Sequence, residues 1–117
     1  MGEEVPEGPV IKLPSNERLV GALRRKENEY KERVEIEDRD GWMFQAPEAK
    51  SFTTRYKFEI LQRVLADGEV NTFNLCRELQ TRDGYVNGHD FNKAAGIVNA
   101  YCKDGGARLR GGTGLSF

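Results

Sequence analysis

The side chains with the most chemical potential in this 117-residue chain are few and scattered. His89 is the single histidine, and no Ser or Cys beside it has the context of an activated nucleophile, so it reads as a helix-start or surface residue and not as a general base. Cys76 and Cys102 lie far apart, without the paired spacing of a zinc site, and each falls on the apolar side of an expected helix, where a free thiol behaves as a small hydrophobe. The carboxylates Glu35, Glu37, Asp38 and Asp40 would attract a hard cation, but their spacing does not match an EF-hand loop. Gly111-Gly112-Thr113-Gly114 lacks the following Lys-Ser/Thr and the helix that a phosphate loop needs. These absences lead to the expectation of a protein without catalytic residues, metal or cofactor.

Polar groups able to bind rather than react gather toward the C-terminus. Phe91, Ala95, Val98 and Cys102 recur at i, i+4, i+7 and i+11, which defines the inner face of a helix begun by His89 or Asp90. Its other face carries Asn92, Lys93, Gly96, Asn99, Ala100 and Lys103, with only positive charge among them. Asn92 and Asn99 are seven residues apart, hence on one side, and Asn can offer both a donor and an acceptor to an adenine edge. Gly105-Gly106 ends this helix. Ala-Arg-Leu-Arg (107 to 110) and Leu-Ser-Phe (115 to 117) then read as short strands joined by the glycine-rich tip, and Arg108 and Arg110 share strand parity, so both project from one side.

Elements that would position this surface are visible upstream. Phe52, followed by Thr53 and Thr54, supplies a possible staple and cap for a helix through Ala66 with a wide apolar face in Tyr56, Ile60, Leu61, Val64 and Leu65. Asp67-Gly68 stops it, Glu69-Val70 is extended, and Asn71 caps a second helix in which Phe73, Cys76 and Leu79 form the expected stripe, up to Asp83-Gly84. The N-terminal half is different. Residues 1 to 14 hold Pro6, Pro9 and Pro14 and three glutamates, the composition of a flexible or extended tail with no regular ladder. Residues 15 to 50 form an arm: a helix capped by Ser15 or Asn16, with Leu19, Leu23, Tyr30 and Val34 on one stripe and Arg25–Glu29 and Glu29–Arg33 pairs, followed by a hairpin. In that hairpin Val34 and Ile36 alternate with Glu35 and Glu37, Asp40-Gly41 turns, and Trp42 and Phe44 make an aromatic strand that either packs on the domain or anchors a partner.

Hydrophobic residues are 38% and charged residues 32% of the chain, which allows one modest core. The net charge of -1 divides into -3 over residues 1 to 50 and +2 over residues 51 to 117, a mild tilt compatible with a phosphate-binding face but not evidence for one. No apolar stretch resembles a secretory signal or a membrane span, so an intracellular location, cytoplasmic or nuclear/nucleoid, is expected.

From residue 53 onward the order is helix, short extended piece, helix, connection, helix, glycine-tipped hairpin. With the Leu75-Cys76-Arg77-Glu78-Leu79 run, this resembles the winged-helix branch of the helix-turn-helix superfamily over residues 51 to 117. The resemblance implies an α+β, mostly helical fold: a three-helix domain with a C-terminal β-hairpin, preceded by the arm. It further implies a non-enzymatic DNA-binding protein of the kind found in transcriptional regulation, its third helix in a major groove and its hairpin along the backbone. Asn92 and Asn99 would then read bases, Lys93 and Lys103 would meet phosphates, and Arg108 and Arg110 would contact phosphate or a minor groove. A homodimer would suit palindromic DNA. The competing readings are a protein-interaction module using Trp42 and Phe44, and a structural subunit of a viral or multi-protein assembly whose arm wraps a neighbour.

Overall fold

The helix boundaries at Asn16, Gly68, Asn71 and Gly84 each have a local physical cause. In the computed structural model, which describes residues 10–39 and 52–103, the elements run β1 (Val10–Lys12), α1 (Glu17–Arg39), α2 (Phe52–Asp67), β2 (Glu69–Asn71), α3 (Thr72–Asp83) and α4 (Gly88–Lys103). Asn16 caps α1, its Oδ1 accepting from the Leu19 N–H at 3.0 Å. Asn71 does the same for α3 through the Asn74 N–H at 3.0 Å. Gly68 and Gly84 take positive φ, 86° and 83°, at the ends of α2 and α3, a backbone state that costs a side-chain-bearing residue strain.

The helix α2 is the centre of the molecule. It packs most extensively on α4 and, on another side, on α1. Ile60, Leu61 and Val64 are completely buried there, each contributing about 1.5–3 kcal/mol by leaving water. The helix α1 meets this core through Leu19, Leu23 and Tyr30, with Val34 also buried, so the stripe seen in the sequence docks on the domain. Between α2 and α3, a Glu59–Arg82 ion pair at 3.0 Å gives the largely buried carboxylate a charged partner.

The winged-helix-like expectation is overturned. Among the described residues there are four helices, the first of which, expected in a separate arm, packs on α2, and the strands form one antiparallel pair, β1 with β2, one near the N-terminus and the other mid-chain. The register sets Ile11 opposite Val70, and both are buried. The Leu13 N–H continues the pairing by donating to the Gly68 carbonyl at 2.9 Å. Pro14 follows this short ladder without interrupting it, which is why a segment expected to hold no ladder supplies one. The expected C-terminal hairpin over residues 107 to 117 lies outside the described residues.

Two periods differ from expectation. Val34 to Glu37 continue α1 instead of opening a hairpin, because Val34 extends the buried stripe four residues beyond Tyr30, while Ile36 is 46% exposed. In α3 the buried set is Thr72, Leu75 and Leu79, whereas Phe73 is 54% exposed and Cys76 half-buried. At about 100° per residue, positions i and i+6 lie about 120° apart, so Phe73 and Leu79 cannot share one narrow face; i, i+3 and i+7 fall within about 60°.

Candidate nucleic-acid interface

The helix α4 is anchored at its start by one asparagine with three bonds. The Asn87 carbonyl accepts from the Phe91 N–H at 2.9 Å, its Oδ1 accepts from the Asp90 N–H at 3.0 Å, and its own N–H donates to the Tyr56 hydroxyl at 2.9 Å. The cap is therefore Asn87, two residues before His89 and three before Asp90, the expected helix starts. The Tyr56 ring also meets Phe91 edge-on, centroids 5.6 Å apart, so α2 grips both the cap and the first buried side chain of α4.

The phase of α4 follows from its inner residues Phe91, Ala94, Val98, Tyr101 and Cys102. Ala94 replaces the expected Ala95 at the centre of the contact, and Ala95 is half-buried. Asn92, Lys93, Gly96 and Lys103 are exposed, with Asn99 and Ala100 half-buried, so the sequence-derived outer face is brought together on one side of one helix. Asn92 and Asn99 differ by only about 20° around the axis and by about 10 Å along it. No acidic side chain interrupts that face. At Gly96 a Cβ would meet no atom within 4 Å, so no internal packing in the described structure accounts for the glycine. A glycine in a helix interior costs about 1 kcal/mol relative to alanine.

Arg108 and Arg110, and Trp42 and Phe44, lie outside the described residues. His89 is exposed. Cys102 is buried and its thiol pKa is pushed up to about 11 by that burial, which keeps it protonated and unreactive near neutral pH. Among the described residues no three His, Cys, Asp or Glu side chains gather as a metal site, and no helix is long and apolar enough to cross a membrane.

A second polar centre escaped the sequence reading. Tyr30 of α1 and Tyr101 of α4 share a buried hydroxyl–hydroxyl hydrogen bond of 2.9 Å. Burial and then this bond push the Tyr30 ionisation well above the usual phenol range, so the hydroxyl stays neutral. Above the same ring stand the Lys26 and Lys57 ammonium groups, 5.7 and 4.9 Å from its centroid. The available signal was Lys26 itself: it sits between Leu23 and Tyr30 on the apolar stripe, and it is only 3% exposed. Tyr30→Phe should cost about 1–3 kcal/mol by leaving the Tyr101 hydroxyl buried without this partner. The Tyr30→Phe/Tyr101→Phe double variant should lose less than the two singles added, as thermal unfolding in a double-mutant cycle would read.

Compared with known proteins, the chain matches no family model, no curated protein and no solved structure, so its function is read from its own residues.

Proposed function

We propose that this is a non-enzymatic nucleic-acid-binding protein that presents the outer face of α4 to a DNA duplex. The observation that carries the reading is the composition of that face: Asn92 and Asn99 in line, Lys93 and Lys103 beside them, and Gly96 between them with open space above it. A helix entering a major groove needs such features, namely amide groups that can pair with base edges, cations for phosphates, and no bulk where the backbone approaches most closely. The spacing of the two asparagines spans about three base steps at 3.4 Å each.

Binding to a duplex should weaken as salt rises from 50 to 200 mM. With Lys93→Ala and Lys103→Ala combined, the slope of log affinity against log salt should shrink by about 1.8, which amounts to about 30-fold weaker binding near 0.15 M. Fluorescence anisotropy with a labelled duplex reads both quantities, and an unchanged slope would remove the proposal. A protein partner is the second reading, favoured by Phe73 and Tyr85, which are 54% and 65% exposed. Absence of duplex binding even at low salt would favour it.

A further inference from the structure

The buried face of α4 defines the crest of its outer one. Val98 lies in the middle of the inner face and is completely buried. His89, nine residues earlier, is turned about 180° from it around the helix axis, and it is exposed. Gly96 and Ala100 lie about 20° to either side of that line, and neither has a hydrogen-bonding side chain. Asn92 stands about 60° round on one side and Lys93 about 40° round on the other. His89 is therefore the polar side chain on α4 that is aimed most directly away from the core.

The helix cap does not use the imidazole. Asn87 closes the start of α4 through the Asp90 and Phe91 N–H groups, at 3.0 and 2.9 Å, and its own N–H is held by the Tyr56 hydroxyl at 2.9 Å. The first turn, and with it the position of His89, is thus fixed by α2 while the ring itself faces solvent. In a helix laid along a major groove, about 12 Å wide and about 8.5 Å deep, side chains at the crest reach base edges and those at the flanks reach phosphates. The acceptor that every purine presents there is N7, and an imidazole carries at least one ring N–H in either protonation state. Along the axis His89 precedes Asn92 by about 4.5 Å, close to one base step of about 3.4 Å.

We infer that His89 is a base-contacting residue of the α4 face, a ring N–H donating to N7 of a purine in the base pair next to the one that Asn92 meets. The inference rests on the duplex reading of α4, and adds to it a further contact residue and the chemical class of one recognised base.

The test enriches duplexes from a randomised pool with the full-length protein and with its His89→Ala and Asn92→Ala variants. The enriched duplex is then remade with the 7-deaza analogue of the purine in question, which lacks the N7 acceptor. His89→Ala should abolish the purine preference at one position, adjacent to the position that Asn92→Ala relaxes. The 7-deaza duplex should bind the unsubstituted protein about three- to tenfold more weakly, the worth of one hydrogen bond, and bind His89→Ala as well as the parent duplex does. His89 is exposed, so the substitution leaves the core intact, and circular dichroism verifies the fold. A purine preference that survives in His89→Ala, a uniform loss of affinity across all sequences, or equal sensitivity of both proteins to the 7-deaza base would overturn the assignment. If Asn92→Ala relaxes its position while His89→Ala changes nothing, the α4 reading stands and the His89 contact falls. If the unsubstituted protein enriches no sequence, or neither variant alters the one enriched, both fall.

Discussion

Phe91→Ala is expected to lower the unfolding free energy by about 3–5 kcal/mol, the largest loss from any single truncation considered for this chain. Phe91 is 2% exposed and begins the inner face of α4. Its removal opens a cavity and also takes away the edge-on partner of Tyr56, at an interplanar angle of 68°. Tyr56 in turn accepts the Asn87 N–H, and Asn87 caps α4, so the damage reaches the helix start. Against a total stability of about 5–15 kcal/mol, a change of this size brings the fold near its limit. Phe91→Leu, which keeps most of the apolar volume, should recover more than half of the loss. Urea unfolding followed by tryptophan fluorescence or circular dichroism measures both, read as a shift in midpoint at constant m. A loss below about 1 kcal/mol for Phe91→Ala would mean that α4 does not present this side to α2, and the outer face would then be assigned wrongly as well.

Ile11→Ala is expected to cost about 2–5 kcal/mol, a value that separates the observed fold from the one its sequence suggests. If residues 1 to 14 were only a tail, truncating Ile11 would change stability by less than about 0.5 kcal/mol. In the structure Ile11 is 1% exposed, lies opposite Val70 across the strand pair, and its strand sits beside α4. Val10→Ala, on the 37% exposed neighbour, is the matched control and should be close to neutral. Equal small effects at both positions would detach β1 from the domain. A large effect at Ile11 alone would establish that α4 is held on a core completed by the N-terminal strand.

The two expectations bear on function through the same helix. Asn92, Lys93, Asn99 and Lys103 project together only because Phe91, Val98 and Cys102 are inside, and these in turn are inside because α2 offers Ile60, Leu61 and Val64. The placing of Lys26 and Lys57 over the Tyr30 ring depends on a different contact. Lys57 reaches the Tyr30 ring only when the Leu19, Leu23, Tyr30 stripe is docked, so conditions that release α1 should disperse the cluster while leaving the outer face of α4 unchanged in composition.

Local chemistry alone determined the helix ends at Gly68 and Gly84, the asparagine caps, the inner face of α2 and the side of α4 that faces water, because each depends on residues within one or two turns. Tertiary structure decided what those faces meet. A three-residue strand such as Val10–Lys12 has no stability by itself and exists only when Ile11 enters a core built by Leu61, Val70 and Phe91 from elsewhere in the chain. Val34 and Ile36 satisfy the alternation of a strand in a short window, and only the docking of Tyr30 and Val34 selects the helix. The burial of Lys26, its capture of Glu29 and the meeting of Tyr30 with Tyr101, 71 residues away, follow from how α1, α2 and α4 cross. Contacts at that separation carry no local periodicity, and so become visible only once the core has closed.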